Sequence, residues 1–299
     1  MNIYLVLIGF IILFIILNVE SKQHFESRII EKFNNNEFNV YLINMEKNKD
    51  RLMNFTEYYN KSDLNFKPFE LFPAVVGKDL NLIDYLSENA YKEILISEKR
   101  GRKHHYDLTP GAVGCYLSHL RIYKKLVNSN YNYGIIFEDD AIMAKNTYEK
   151  MLLSLNNIPS DWDIILLGVL CIKCDTSEKY IKISRFWGTH GYLIKKQSAV
   201  KLLEFLDKPL SKQIDADMSL LIKRGLIKVY GINPILVSQD TQFGSEIQSH
   251  VIDSEEVFNE EFAQKHINKI YTKKIIDDTY REAPTPKPSP PIKIELNIF

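Results

Sequence analysis

The sequence has few cysteines and no excess of charge of either sign. Three cysteines among 299 residues are too few for a disulfide framework in a domain of this size, so the core must hold the fold. Cys171 and Cys174 have the spacing of half a zinc site or a redox pair, but no second pair exists, and we predict a loop there. Basic and acidic residues both number 38, so we expect no nucleic-acid partner.

Several catalytic motifs are also missing. The sequence contains no G-x-G-x-x-G, no P-loop lysine motif, no G-x-S-x-G and no H-E-x-x-H. Their absence argues against dinucleotide-dependent dehydrogenases, P-loop kinases, serine hydrolases of the nucleophile-elbow type and zincins. What the chain does have is apolar content, since 45% of its residues are hydrophobic. That fraction is enough to build a full globular core.

The two ends of the chain differ in composition from the part between them. Residues 1–19 carry no charged side chain and are apolar on every helical face. A helix of that length reaches roughly 28 Å, close to the apolar thickness of a bilayer. We predict a retained membrane anchor there, with a cleaved signal peptide as the alternative, followed by a polar stem over 20–36. Five prolines between residues 284 and 291 mark a proline-rich tail over 282–299.

Two signals for the membrane orientation oppose each other. Lys22, Arg28 and Lys32 follow the apolar segment, and the positive-inside rule then favours a cytoplasmic body. Glycosylation sequons at Asn54 and Asn60 are usable only if the body is luminal. We therefore expect a single-pass membrane protein whose body faces either an endoplasmic reticulum or Golgi-like lumen or the cytoplasm.

The body, residues 37–281, alternates short apolar runs with helical patterns. Thr109 followed by Pro110 is typical of a helix start, with Thr109 as the N-cap. The main predicted elements are strands at 38–45, 133–137 and 163–167 and helices at 51–59, 109–127 and 146–155. Because the central strands are apolar throughout, the pattern predicts an α/β fold with a mainly parallel central sheet.

Three consecutive carboxylates follow one of these buried strands. Glu138, Asp139 and Asp140 come directly after the run 133–137, at the strand end where open α/β sheets bind ligands. Adjacent like charges repel, and a divalent cation such as Mn²⁺ or Mg²⁺ relieves that repulsion and holds phosphate oxygens. A solvated acidic turn is the alternative, but the position after a buried strand favours a metal site.

Two further groups of polar residues are weaker candidates. Asp215 and Asp217 begin a predicted helix, where the helix dipole favours carboxylates without any function. Cys115 and His119 are four residues apart on the helix that starts at Thr109, so they share a face. A soft-metal site there needs more cysteine or histidine ligands, and a structural histidine is the favoured interpretation.

Several blocks of the sequence, taken in order, resemble glycosyltransferase family 25, which includes lipooligosaccharide and collagen hydroxylysine galactosyltransferases. The resemblance covers residues 39–249, and one departure is Ala112, where many members carry an acidic residue. The blocks are VYLINM at 40–45 followed by Asp50-Arg51, LTPGAVGCYLSH at 108–119, IFEDD at 136–140, GTHGYLI at 188–194, Ile214-Asp215, and Ser238-Gln239 with Ser245-Glu246-Ile247.

The resemblance implies a GT-A-like nucleotide-sugar-binding fold, a UDP-sugar donor, often UDP-galactose, and a divalent metal ion, Mn²⁺ or Mg²⁺. It also implies inversion at the anomeric carbon, which needs one carboxylate as general base. The residues expected to act are Asp139 and Asp140 on the metal, Asn44, Arg51, Ser118, His119, Glu138 and Asp139 on the donor, and Asp215, with Asp217 second, as the base.

The sequence therefore predicts a metal-dependent inverting glycosyltransferase. The acceptor would be a hydroxyl on a glycan, a lipid-linked saccharide or a collagen-like hydroxylysine, because the sequence does not distinguish these. Two alternatives stay open. A metal-dependent phosphohydrolase also places carboxylates after a strand and would release phosphate without an acceptor. A catalytically inactive membrane-anchored protein of the same fold would show no metal-dependent affinity for UDP.

Overall fold

The computed structural model of the chain describes residues 36–100 and 108–243. The predicted anchor at 1–19, all but the last residue of the stem and the proline-rich tail at 282–299 lie outside the described residues. The same holds for residues 244–281 of the predicted domain. Within the described ranges, none of the helices has both the length and the apolar character that crossing a bilayer requires.

Ten strands form the sheets of the molecule as described. They are β1 (Phe38–Asn44), β2 (Phe69–Pro73), β3 (Tyr133–Glu138), β4 (Ala141–Met143), β5 (Ile164–Leu166), β6 (Leu170–Thr176), β7 (Tyr180–Trp187), β8 (Gly191–Lys195), β9 (Val229–Ile232) and β10 (Val237–Gln239). Eight of them form one sheet in the order β2-β1-β3-β8-β5-β9-β7-β6, while β4 and β10 form a separate ladder.

Six α-helices are described beside these strands. They are α1 (Lys49–Lys61), α2 (Glu88–Arg100), α3 (Pro110–Val127), α4 (Thr147–Leu155), α5 (Lys196–Leu206) and α6 (Ile214–Lys223). The Thr109 side chain accepts a hydrogen bond from the backbone N–H of Ala112 at 3.0 Å, so the predicted N-cap is confirmed. Two short 3₁₀ turns, Gly77–Asp79 and Leu82–Asp84, lie between β2 and α2.

The large sheet separates two apolar cores. Successive side chains of a strand point to opposite faces, and in β1 Tyr41 packs on one face while Val40 and Leu42 pack on the other. The first core contains side chains of α3, α5 and α6. The second contains side chains of α1 and α4, including Phe55 and Met151. The α/β class is therefore confirmed, with helices on both faces of the sheet.

The prediction of a mainly parallel sheet is wrong, because the sheet is mixed. The pairs β1-β2, β1-β3 and β5-β9 are parallel, but β8 pairs antiparallel with both β3 and β5, and β7 pairs antiparallel with β6 and β9. The turn between β6 and β7 is too short for a crossover, so the chain must reverse there. Apolar composition marks burial on both faces but not strand direction.

The predicted loop at Cys171 and Cys174 is also wrong. Both residues lie in β6, and they form a disulfide with each other. Residues three apart in a regular strand point to opposite faces, but the ladder with β7 shifts register on both sides of Lys173. These irregularities allow the two sulfur atoms to meet.

Helix α3 packs unusually close to the segment after β2. A Cβ atom added to Gly114 would lie 2.3 Å from the carbonyl oxygen of Val75. The hydroxyl of the nearby Ser118 accepts from the Val75 N–H at 2.8 Å and donates to the Gly114 carbonyl at 2.7 Å. The small side chains of Gly114 and Ser118 therefore permit α3 to pack closely against this segment.

Candidate functional site

Polar side chains meet where β1 and β3 end. The two strands are parallel neighbours with Ile43 opposite Glu138, so their carboxyl ends lie at the same sheet edge. Asn44 is the last residue of β1, and Glu138 is the last residue of β3. We call the group formed by Asn44, Arg51 and the three carboxylates Glu138, Asp139 and Asp140 the acidic site.

Asp139 is held between two donors that come from the β1 end and from α1. Arg51 Nη1 donates to its Oδ1 at 2.9 Å, and Asn44 Nδ2 donates to its Oδ2 at 2.8 Å. Arg51 and Asp139 are each 7% exposed, so this is a buried, charge-assisted pair. Both Asp139 oxygens thus have a hydrogen-bond partner within the protein.

The negative charge of Asp140 is less well compensated than that of Asp139. Gln239 Nε2 donates to its Oδ2 at 2.8 Å, and Arg51 Nη1 lies 3.7 Å from the same oxygen. Its Oδ1 is buried, and it has no hydrogen-bond partner among the residues that the structure describes. Burial, followed by the negative charge of Glu138, raises the pKa of Asp140 to about 7. A cation at Oδ1 would give this oxygen a partner and would offset the negative charge that Glu138 and Asp140 share.

Glu138 is anchored by residues of α3 and of the turn before β8. His119 Nε2 lies 3.2 Å from Glu138 Oε1, and the Thr189 hydroxyl donates to the same oxygen at 2.6 Å. Burial opposes ionisation of Glu138, but the hydrogen bonds and charge of His119, together with Thr189, outweigh it and lower the pKa. Glu138 is therefore ionised and fixed in orientation.

Asp215 and Asp217 are both buried but have different surroundings. Asp215 accepts from the backbone N–H groups of Gly188 at 3.0 Å and Ala216 at 2.7 Å. Burial raises its pKa, and the charge of Glu138 raises it further, so Asp215 lies within electrostatic reach of the acidic site. Asp217 instead accepts from the Tyr116 hydroxyl at 2.9 Å, and Tyr116 belongs to the core.

The structure brings most of the predicted site residues together. Asn44 and Arg51 contact Asp139, and Arg51 also lies 3.7 Å from Asp140. Glu138 precedes these aspartates in sequence, and its side chain contacts His119 and Thr189. The structure does not bring Ser118 there, because that side chain is fully buried and its hydroxyl is engaged with Val75 and Gly114.

Three residues of the surrounding shell were not assigned from the sequence. Gln239 and Asp240 come from the end of β10, and the Asp240 N–H donates to the Asp140 carbonyl at 2.6 Å. Asn54, read above only as a sequon, donates its side-chain N–H to Asp240 Oδ2 at 2.8 Å. Gln239 lies in one of the sequence blocks that resemble glycosyltransferase family 25, and that block was the only sign in the sequence that it belongs near the site.

A separate cavity of about 330 Å³ lies beside α3, away from the acidic site. It contains none of the predicted site residues. Its lining consists of Asp84, Tyr85, Leu117, Leu120, Arg121, Lys124, Asp207, Lys208, Pro209 and Leu210.

The sequence model of the family described as "Glycosyltransferase family 25 (LPS biosynthesis protein)" matches residues 38–219. The chain belongs to glycosyltransferase family 25. The family match contains Asn44, Arg51, the three carboxylates of the acidic site and Asp215, but it ends before Gln239 and Asp240. The contacts that Gln239 and Asp240 make with Asp140 therefore come from outside the matched family segment.

Relatives in glycosyltransferase family 25 come from animals and bacteria. Procollagen galactosyltransferase 1-A of Xenopus laevis is 31% identical over 212 residues, which are 67% of this chain and 33% of that protein. Lipooligosaccharide biosynthesis protein lex-1 of Haemophilus influenzae is 31% identical over 159 residues, which are 45% of this chain and 51% of the relative. The chain thus spans only about a third of the length of the procollagen galactosyltransferase that it matches.

Solved structures resemble this member of glycosyltransferase family 25 only weakly. A Drosophila beta-1,4-galactosyltransferase 7 mutant in complex with manganese, UDP-Gal and xylobiose has a TM-score of 0.37 at 9% sequence identity, covering 76% of this chain and 79% of the other. A score of that size carries no argument about the ligands or the fold of this chain.

Proposed function

We propose that this chain is a metal-dependent inverting glycosyltransferase that moves a sugar, galactose in the first instance, from a UDP-sugar to an acceptor hydroxyl. The observation that carries the proposal is the acidic site at the ends of β1 and β3. Asp215, a carboxylate whose pKa is raised, lies within electrostatic reach of Glu138 in that site. Membership of glycosyltransferase family 25 supports the proposal. The relatives named above suggest a collagen-like hydroxylysine or a lipooligosaccharide as acceptor.

The acidic site fits a divalent metal ion. Asp140 Oδ1 is buried, and none of the described residues gives it a hydrogen bond. Carboxylate oxygens are ligands suited to Mn²⁺ and Mg²⁺. Asp140 would hold the ion, with Asp139 contributing directly or through water while it stays paired with Arg51. When bound, the ion supplies positive charge that offsets the charge developing on the UDP leaving group.

The donor would lie against residues that already have fixed orientations. Arg51 is held by Asp139 at 2.9 Å, and its positive charge at the sheet edge favours a diphosphate. Asn44 positions Asp139 from the other side, and His119 fixes Glu138. The ionised Glu138 carboxylate is an acceptor for a sugar hydroxyl. A site organised before the donor binds loses less free energy on reorganisation.

Asp215 would act as the general base of a single displacement. The acceptor oxygen bonds to the anomeric carbon while the bond from that carbon to the UDP oxygen breaks. The hydroxyl proton goes to Asp215, and UDP leaves with the electron pair, so the configuration inverts. Asp217 is the second candidate. Its carboxylate already accepts a hydrogen bond from Tyr116, which gives it a structural role between α3 and α6.

The metal assignment can be tested with the purified full chain, a panel of UDP-sugars, and Mn²⁺ or a chelator. We expect UDP to bind more tightly with Mn²⁺, measured by isothermal titration calorimetry, and Asp140→Asn to remove that difference. Asp161→Asn is the matched control, because Asp161 is a half-exposed carboxylate paired with Lys228. Unchanged metal-dependent binding in Asp140→Asn would overturn the assignment. Phosphate release from simple esters would favour the phosphohydrolase instead.

The base assignment is tested by turnover at saturating donor. Asp215→Asn is expected to lower kcat by about 10²- to 10⁴-fold while UDP binding stays intact. Asp217→Asn should retain the wild-type turnover per folded molecule, with the folded fraction measured by circular dichroism. Full turnover in Asp215→Asn together with its loss in folded Asp217→Asn would move the role of base to Asp217.

A further inference from the structure

Three potential ligands for a soft metal ion face one another at the edge of the acidic site, with which they share Glu138. Cys115 Sγ, a ring nitrogen of His119 and a carboxylate oxygen of Glu138 lie within 4.8 Å of one another. Cys115 and His119 are one turn apart on α3 and project from the same face, and Glu138 ends β3 opposite them. The proposed function leaves the thiol without a role.

The spacing of two of these atoms matches that of ligands on a tetrahedral ion. His119 Nε2 and Glu138 Oε1 are 3.2 Å apart. Two nitrogen or oxygen ligands of a tetrahedral zinc ion, each about 2.0–2.1 Å from the metal, are roughly 3.3 Å apart. An ion can therefore bind both groups with little movement of either. With Cys115 as third ligand, a fourth position remains for water, as in open zinc sites.

The His119 ring is oriented from its other side. Its Nδ1 lies 2.7 Å from the Tyr192 hydroxyl, which in turn lies 2.8 Å from the Tyr123 hydroxyl. When an ion replaces the Nε2 proton that faces Glu138, the proton left on Nδ1 is donated to Tyr192, and the Nε2 lone pair becomes available to the ion. A partner of this kind on the second ring nitrogen is usual for histidines that bind metals, because it fixes the tautomer and the ring plane.

The electrostatic surroundings of Cys115 favour a cation. The carboxylates of Glu138, Asp215 and Asp140 lie within electrostatic reach of the Cys115 thiol. The same charges attract a divalent ion, which stabilises the thiolate in place of the proton. Cys115 and Glu138 are both partly exposed, so an ion from solvent can reach them.

We propose that Cys115, His119 and Glu138 form a binding site for a soft divalent cation of the zinc class. Thiolate and imidazole ligands select such ions, whereas the carboxylates of Asp139 and Asp140 suit Mg²⁺ or Mn²⁺. On binding, the thiol proton and the His119 Nε2 proton go to solvent, and the electron pairs of the sulfur and of Nε2 bond to the ion, so no oxidant is required. The site is separate from the hard-ion position at Asp140 Oδ1.

Cobalt provides a direct test, because Co²⁺ replaces Zn²⁺ and reports its ligands by absorption. The metal-free full chain, kept in a phosphine reductant, is titrated with Co²⁺. We expect a thiolate-to-cobalt charge-transfer band that Zn²⁺ abolishes and that excess Mg²⁺ leaves unchanged. Cys115→Ser should lose the band, whereas Asp140→Asn and the double variant Cys171→Ser/Cys174→Ser should keep it. No band in the wild-type chain, a band retained in Cys115→Ser, or a band lost in Asp140→Asn would each overturn the proposal.

A second measurement does not depend on any variant. Zn²⁺ should slow alkylation of the Cys115 thiol in the native wild-type chain by at least about tenfold, followed by mass spectrometry, while Mg²⁺ should not. Equal alkylation rates with and without Zn²⁺ would contradict the site. Neither readout requires sugar transfer, so a chain that shows the cobalt band but transfers no sugar would keep this site and reject the function proposed above.

Discussion

Arg51 and Asp139 form the central charge pair of the acidic site, and neither residue is replaceable alone. Both are buried, and their 2.9 Å contact is reinforced by Asn44 on the second Asp139 oxygen. Removing one member of such a pair leaves an uncompensated buried charge, which costs about 3–5 kcal/mol. Asp140, next in sequence, lacks equal compensation. The site therefore holds one carboxylate whose charge is neutralised within the protein and one whose charge is not, and the second is the proposed ligand of the cation.

Asp215 should give the reaction a pH dependence. Burial, and then the charge of Glu138, raise its pKa, and the N–H groups of Gly188 and Ala216 offset this only in part. A base must be ionised, so kcat/KM should fall on the acid side with a midpoint above the ordinary aspartate pKa of about 3.9. The measurement is kcat/KM from about pH 4 to about pH 9 at constant ionic strength, with Asp161→Asn as the control that keeps the profile.

The same pKa shift has a defined sign for stability. Because folding raises the pKa of Asp215, the folded state favours the protonated form. The contribution of Asp215 to stability is therefore most favourable below its pKa in the unfolded chain and is lost as pH rises through its pKa in the folded protein.

The kinetic profile decides the role of Asp215. If kcat/KM falls only at or below the ordinary aspartate pKa, Asp215 is not the base.

At the scale of elements, α3 connects the site to the rest of the fold. Its N-cap and its proline at the first turn define where it begins, and its small side chains let it approach the segment after β2. That approach places His119 beside Glu138. Tyr116, about one turn earlier on α3, donates a hydrogen bond to Asp217. The position of α3 thus sets the orientation of two carboxylates.

Enlarging Gly114 should therefore be destabilising. A Cβ there would lie 2.3 Å from the Val75 oxygen and 2.8 Å from the Gly77 nitrogen, both backbone atoms that cannot yield without moving the chain. We expect Gly114→Ala to lower the free energy of unfolding by about 1–3 kcal/mol in urea titrations. Gly134→Ala is the comparison, because its Cβ would meet the end of the Leu126 side chain at 3.1 Å. Equal losses in the two variants would contradict the packing argument.

At the scale of the whole molecule, the two apolar cores share one sheet. Phe55 on α1 belongs to one core and Leu120 on α3 to the other, and strands such as β1 and β3 contribute side chains to both. Neither core can lose its packing without disturbing strands that the other needs. The part of the chain that the structure describes should therefore unfold as one cooperative unit.

Phe55→Ala and Leu120→Ala should each shift that single transition, by about 2–5 kcal/mol. Circular dichroism and intrinsic fluorescence should report coincident denaturant curves for both variants. Met53→Ala is the control, because Met53 is 70% exposed and its loss should change the unfolding free energy by less than about 0.5 kcal/mol. Two separated transitions, each moved by only one of the substitutions, would show that the cores unfold independently.

Local features of this protein were predictable from its sequence alone. The sequence predicted β1, the N-cap of α3 at Thr109, and the place of Glu138 and its neighbours after a buried strand, because strand periodicity and helix capping depend on residues close in sequence. Tertiary structure decided the antiparallel insertion of β8, the ladder of β4 with β10, and the partners of Asp140. Gln239 is 99 residues from Asp140, and contacts over such separations are set by how strands and helices pack together, which local patterns do not encode.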